Sequence, residues 1–157
     1  MNYFEHATTL LDKQLGYDVV VALATGVDGI VTVRNVDGYY RNGDIYVLTH
    51  EASEKMRHIT KQPHVGICKS FSRTRPFCEG LLRAEGIGEN IGHPRGHDME
   101  EELKDVFHSV YDVHVDEDDP QTCILRLRLT KAVVFDGEYK FEVDFTAQTA
   151  QRSDCPI

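Results

Sequence analysis

The residues that could do chemistry gather in one short stretch, THEASEKMRH at 49–58, which places a hydroxyl at Thr49, a second at Ser53 and an ammonium at Lys55. A short helical pattern begins there, directly after the strand-like DIYVLT. Two readings fit. As a helix N-cap, Ser53 accepts from one of the amides that a first turn leaves without a partner, and Lys55 is simply solvated. As part of an anion site, the hydroxyls and ammonium converge with those amides at the positive end of the helix dipole. Arg34, in the preceding run IVTVRNV, bears on the choice. If the two runs pair through the Asn42-Gly43 turn, its guanidinium lies near the base of the Thr49–Lys55 loop. A fork of donors, a point charge, two hydroxyls and a helix end then make a phosphate site.

The other candidates are weaker. His93 and His97 form an i, i+4 pair in GHPRGH, but Pro94 and Gly96 make the segment a loop, where a turn role competes with metal ligation. His50 lies in the candidate anion loop, where it either touches a ligand or faces solvent. His58 and His64 read as surface or strand residues. No Ser-His-Asp or Cys-His set has meaningful spacing. Cys68 and Cys123 fall in apolar strand patterns and read as small buried hydrophobes. With Cys78 and Cys155 they make neither a zinc pattern nor a secreted disulfide framework.

The elements that must hold these residues follow from periodicity. Phe4, Ala7, Leu11 and Leu15 share one helical stripe that ends at Gly16. From Asp18 the period becomes two, with strands in DVVVALAT, IVTVRNV and DIYVLT joined at Asp28-Gly29 and Asn42-Gly43. A short helix over 53–61 stops before Pro63, and HVGICKS makes a fourth strand. A fifth, long and bent, is expected from Phe77 to about Ile91, with Gly80, Gly86, Gly88 and Gly92 marking bulges or a barrel corner. Asp98 and Glu101 suggest a capping box opening a helix whose apolar face runs from Met99 to Tyr111. DVHVDEDDPQ reads as a solvated connector, and alternating strands follow in TCILRLRL and AVVFDGEYKFEVDF. So many antiparallel strands without repeats suggest a small closed or nearly closed barrel with flanking helices, since closure removes exposed edges.

Composition bounds the function. The chain has 157 residues, 41% apolar and 27% charged, as expected of one globular domain. A net charge of −9 is the wrong sign for tracking nucleic-acid backbones, so only a local basic pocket could bind an anion. No run approaches the roughly 18 apolar residues of a membrane span. The N-terminal MNYFEHATTLLDK lacks the basic start and apolar run of a signal peptide, so a cytoplasmic location is expected.

The order of V-R-N-V at 33–36, G-D-I-Y-V-L-T at 43–49, S-E-K at 53–55 and Q-P-H-V-G-I at 62–67 resembles the pyridoxamine 5′-phosphate oxidase-like family of FMN-binding split barrels. The resemblance extends more weakly from residue 3 to about 145, and R-A-E-G-I-G-E-N at 83–90 is similar to the family's G-x-A strand. It implies an antiparallel Greek-key split barrel over residues 1–146, followed by a polar tail at 147–157. It also implies a homodimer with FMN at the interface. Arg34, Thr49, Ser53 and Lys55 match positions that hold the flavin phosphate or ribityl chain; Asn35, Val36 and Leu48 match positions whose backbone faces the ring. Two departures stand out. Glu54 replaces a usual arginine, placing a carboxylate beside the expected phosphate. The C-terminal arginine and aromatic residues of the oxidase proper have no match, so its vitamin substrate does not transfer with the fold.

The leading functional expectation is an FMN-dependent oxidoreductase acting on a small molecule with a small-molecule electron donor, with no nucleic-acid or membrane partner. A non-enzymatic flavin carrier or sensor, and a haem- or metal-binding barrel using the chain's eight histidines, are the alternatives.

Overall fold

A computed structural model describes residues 1–70, 81–137 and 139–154. In chain order these form α1 (Tyr3–Leu15), β1 (Val19–Val27), β2 (Ile30–Arg41), β3 (Asp44–His50), α2 (Glu54–Lys61), β4 (His64–Ser70), β5 (Leu81–Asn90), α3 (Glu100–Val106), α4 (Tyr111–His114), β6 (Thr122–Asp136), β7 (Tyr139–Asp144) and β8 (Thr149–Asp154). The strands follow the order β3-β2-β1-β4-β5-β6-β7-β8, and β3 also pairs with β6. That extra pairing closes six antiparallel strands into a barrel, while β7 and β8 continue the sheet beyond it. The expected mainly β barrel with flanking helices is therefore the observed architecture. No helix among the described residues is long and apolar enough to cross a membrane.

The first two hairpins form where Asp28-Gly29 and Asn42-Gly43 supply consecutive positive φ angles of 54° and 79°, and of 50° and 86°. These are the values a two-residue turn needs to follow the right-handed twist of its strands. They fix the β1–β2 register so that Arg34 lies opposite Leu23, and the β2–β3 register so that Tyr40 lies opposite Ile45. β6 is the spine. Thr122–Arg128 pairs with β3, Lys131–Asp136 pairs with β7, and β5 runs alongside with a bulge between Glu85 and Gly86.

Two apolar clusters stabilise this frame. The larger fills the barrel with Val21, Leu23, Ile45, Val47, Ile67, Leu125 and Leu127, and extends beneath α1 through Ala7, Leu11 and Leu15. The smaller lies outside the barrel wall, where Tyr46, Leu48 and Ile124 meet Leu103, Phe107, Tyr111 and Val115. β3 is thus covered on both faces, which explains its unbroken apolar run Ile45–Leu48.

Several expectations change. The helix from Asp98 is two short helices, α3 and α4, and Met99 occupies the N-cap without a side-chain bond. Instead of a capping box, His97 Nδ1 accepts from the Met99 amide and Glu100 Oε2 from the Gly96 amide. On an unbroken helix, residues four apart drift by about 40° per step. The break returns Tyr111 and Val115 to the side of Leu103 and Phe107. Residues 112–114, read as part of a solvated connector, belong to α4. Cys68 is exposed on β4, whereas Cys123 is buried and its thiol is pushed up to about 11 by that burial. The polar tail contains β8, paired with β7 from Thr149–Asp144 to Asp154–Tyr139. The expected strand start at Phe77 and bulge at Gly80, with Cys78 and Cys155, lie outside the described residues.

α2 is seated on β5 through a close approach. A Cβ on Gly88 would lie 2.9 Å from Ile59 Cγ2 and 3.1 Å from Ile59 Cδ1. Ile59 is buried and β-branched, so it has little freedom to move aside. Gly88→Ala is expected to destabilise the protein by about 1–3 kcal/mol through overpacking. The same change should cost clearly less in an Ile59→Ala background. Chemical denaturation of the four proteins checks this, and additive effects would contradict the contact.

Candidate functional site

Barrel closure brings the end of β3 to the rim, where Thr49 faces inward and is 7% exposed. The chain then turns, with the Ser53 amide donating to the His50 carbonyl at 3.0 Å, and enters α2. Ser53 is the N-cap: its backbone is extended and its Oγ accepts from the Met56 amide at 3.4 Å. Its Oγ also lies 3.4 Å from Thr49 Oγ1. The capping role of Ser53 is therefore real, and it sets a second hydroxyl beside that of Thr49. Lys55 follows in the first turn, half-buried. Burial, then the positive charge of Arg34, lowers its ammonium pKa.

Arg34 points into the same rim but is already engaged. Its Nη1 donates to the Leu23 carbonyl at 3.2 Å and to Thr25 Oγ1 at 2.7 Å. Its Nη2 donates to Thr32 Oγ1 at 2.6 Å and to Glu54 Oε1 at 2.9 Å. Thr32 donates to that same carboxylate oxygen at 3.0 Å. These bonds, first from Thr32 and then from Arg34, hold the Glu54 carboxyl below its usual range. Thr25 is buried, and its Oγ1 accepts from Arg34 and shares a hydrogen bond with His58 Nδ1 at 2.9 Å.

A cleft of about 500 Å³ opens beside this network. Asn35 and Val36 from β2, Leu48 and Thr49 from β3, and Ser53 and Lys55 around the start of α2 all line it. Six of the seven residues singled out from the sequence are thus brought together. Arg34 is not part of the lining, because its guanidinium turns to Thr25, Thr32 and Glu54. The expected convergence of Arg34 with the other donors does not occur in this arrangement.

The cleft also contains residues that sequence reasoning missed. Asp37 and His114 line it and bond to each other, His114 Nε2 to Asp37 Oδ2 at 2.7 Å. Val20 from β1 and the exposed Val113 from α4 complete its apolar side. Asp37 sits one residue past V-R-N-V and could have been found by extending that motif along β2. His114 had no such signal, because α4 reaches the cleft only through the packing of Tyr111 and Val115.

His50 and His93 hold turns, and His50 also lines the cleft. His50 Nδ1 accepts from the Ala52 amide at 3.1 Å, which leaves Nε2–H to donate to Asp119 Oδ2 at 2.8 Å. His93 Nδ1 accepts from the Arg95 amide at 2.9 Å, and its Nε2 reaches the Asp119 carbonyl at 3.1 Å. Among the described residues, no group of three or more His, Cys, Asp or Glu side chains is disposed to hold a metal ion.

No family model matches the sequence, and neither does any curated protein. Solved structures do. The haem-binding protein of Mycobacterium smegmatis has a TM-score of 0.74 at 15% identity, over 94% of this chain and 60% of that one. An FAD-binding protein of Mesorhizobium loti has a TM-score of 0.65 at 16% identity, over 79% of this chain and 90% of that one. A provisionally named pyridoxamine 5′-phosphate oxidase of Listeria innocua has a TM-score of 0.59 at 13% identity, over 83% and 96%. The fold is the split barrel. At these identities the likeness shows the fold alone.

Lys55 is a half-desolvated cation beside a second cation, so its charge opposes folding wherever it is protonated. Lys55→Met is therefore expected to raise the Tm by a few degrees at pH 7. The sign with pH follows. Because the folded-state pKa is depressed, the penalty is complete below it and is relieved as pH rises from that value towards 10.5. The advantage of Lys55→Met should accordingly shrink at pH 9–10. A thermal-melt series checks both, and an unchanged or lower Tm at neutral pH would contradict the assignment.

Proposed function

We propose that the cleft binds FMN and that the protein is a flavin-dependent oxidoreductase of a small molecule. The observation that carries this reading is the convergence of Thr49, Ser53 and Lys55 at the positive end of α2, in one cleft with Asn35, Val36 and Leu48. The donor set suits an anionic tail. Lys55 supplies the charge, the two hydroxyls and the first-turn amides supply hydrogen bonds, and the helix dipole adds to both. The cleft volume is in the range of small-molecule sites. The flavin, when bound, supplies the redox chemistry, and the protein anchors, orients and shields it. A cytoplasmic location suits such an activity.

The cleft also opens beside an apolar face that is exposed among the described residues. Val31 and Val33, on one face of β2, are each 66% exposed, and the half-exposed Val20 on β1 belongs both to this surface and to the cleft. Such a patch is characteristic of a protein interface. A second copy of the chain seated there would cover the open side of the cleft, so the functional unit is a homodimer.

Haem is the second reading. Its support is His114, which lines the cleft and is oriented by Asp37 in the manner of an outer-shell carboxylate, leaving Nδ1 as the candidate ligand atom. The sequence-based pair His93 and His97 has less support, because each uses Nδ1 to accept a backbone amide.

Titration of the purified protein with FMN, riboflavin and haem separates these readings. The expected result is saturable FMN binding, riboflavin weaker by roughly tenfold or more, and a large loss of FMN affinity in Lys55→Met. Reduction of the bound flavin by a nicotinamide donor, followed by turnover, would distinguish an enzyme from a carrier. Haem binding that disappears in His114→Ala, with no flavin binding, would replace the flavin reading. Light scattering should give twice the mass of the 157-residue chain. A monomer in both wild type and Val31→Lys would remove the dimer.

A further inference from the structure

Away from Lys55, the cleft is lined by groups that accept hydrogen bonds. β2 and β3 part beyond the Tyr39–Tyr46 pair, and the cleft opens between them, with Asn35, Val36 and Asp37 on one wall and Leu48 and Thr49 on the other. Asp37 lies three residues along β2 from Arg34, the cation beside Lys55, which is about 10 Å at the rise of a strand. Its side chain is 26% exposed, and Oδ2 lies 2.7 Å from His114 Nε2. An ionised carboxylate only accepts, so the proton of this bond is on Nε2. His114 is placed there by α4, which Tyr111 and Val115 anchor in the outer apolar cluster. What remains unspent is the second oxygen of Asp37 and, in the neutral imidazole, the Nδ1 lone pair. Both are acceptors. Asp18 adds a further carboxylate close by, its pKa raised by burial and then by Asp37.

We propose that Asp37 is a specificity-determining residue: its second oxygen accepts the imide N–H of the flavin ring, and His114 is the positioning residue that holds the carboxylate for it. This assignment rests on the reading of the cleft as an FMN site and concerns the ring end of that site. Charge sets the direction of the ligand. The phosphate tail is attracted by Lys55 and the start of α2, and repelled by Asp37. The ring carries an N–H at its far edge, and a carboxylate is the strongest acceptor a side chain can offer it. Discrimination follows from the cost of the alternative. A head without that N–H covers the carboxylate and leaves it without a partner, which is a steeper penalty than a lost apolar contact.

The test keeps the phosphate tail constant and changes one donor on the ring. FMN and its N3-methyl analogue, in which the imide N–H is replaced by N–CH3, are titrated by fluorescence into wild type, Asp37→Leu, Asp37→Asn, His114→Ala and Lys55→Met. The quantity read is the ratio of the two dissociation constants in each protein. Leucine keeps the bulk of the aspartate and removes the acceptor, so a ratio caused only by crowding of the methyl group would persist in D37L. Asparagine keeps the shape and removes the charge. Circular dichroism and Tm are recorded for every variant, and D37N decides alone if D37L does not fold.

Wild type is expected to bind FMN about tenfold more tightly than the methylated analogue, as a hydrogen bond to a charged group implies. The ratio should fall to within about twofold of one in D37L, and by about threefold or more in D37N. His114→Ala should lower it as well, because the carboxylate is then free to turn away. Lys55→Met should weaken both ligands and leave the ratio as in wild type, since it acts on the tail. A ratio near one in wild type, or the wild-type ratio retained in D37L or D37N, would overturn the proposal. Failure of the underlying site reading looks different: wild type would bind neither flavin, or Lys55→Met would leave FMN affinity unchanged, and the proposal would fall with it.

Discussion

Everything at the candidate site depends on the pairing of β3 with β6. Residues Asp44–His50 lie opposite Arg128–Thr122 along their whole length, and the same strand pairs with β2 through the Asn42-Gly43 turn. β3 is paired on both sides only over Asp44–Tyr46; from Val47 to His50 it is held by β6 alone, and that pairing fixes the strand's end at the rim. Both faces are occupied as well, by the barrel core and by the Phe107 cluster. Thr49 is held in register opposite Cys123, and the Glu51 amide extends the pairing by donating to the Gln121 carbonyl at 2.9 Å. α2 leaves from that anchored point. Its direction is then held by Met56 and Ile59, which are buried in the barrel core beside Gly88.

Within this rigid frame the electrostatics are local and balanced. A protein of net charge −9 presents a small basic rim, with Lys55 lowered in pKa by burial and by Arg34. Arg34 is in turn committed to Glu54, Thr32 and Thr25, and Thr25 links the network to His58. The rim is thus already organised before any ligand arrives, which reduces the ordering that binding must supply. At the other end of the cleft, Asp37 and His114 form a second polar pair. The two ends differ in chemistry: an ammonium, hydroxyls and amides at one, a carboxylate–imidazole pair at the other. A ligand with an anionic tail and a planar, hydrogen-bonding head has a defined orientation between them.

Much of this was legible in local sequence, and the exceptions share a cause. The hairpins were readable because Asp-Gly and Asn-Gly turns report backbone angles directly. Thr49, Ser53 and Lys55 were readable because a strand end and a helix cap lie within seven residues of each other. β8 was not, because TAQRSD has no apolar alternation and is held by backbone pairing to β7. The break between α3 and α4 was hidden by a continuous helical pattern, since it is the outer face of β3 and β6 that selects the break. The diversion of Arg34 also escaped. Its strand and register were readable, but its side chain is directed by Thr25 and Thr32, and by a glutamate twenty residues away. Local pattern reports backbone; the direction of a long side chain is decided by its partners, here Thr32 on the same strand, Thr25 on β1 and Glu54 on α2.

In the proposed flavin site, the first turn of α2 and Thr49 grip the anionic tail. Amide chemical-shift mapping of the labelled protein with FMN tests this most directly. The largest perturbations are expected on Thr49 and on residues 53–56, with smaller ones at Asn35, Val36 and Leu48. Riboflavin should shift the latter group while leaving 53–56 nearly unmoved. Perturbations centred elsewhere, such as the separate cleft between α1 and the β2–β3 turn around Phe4 and Asn42, would contradict it.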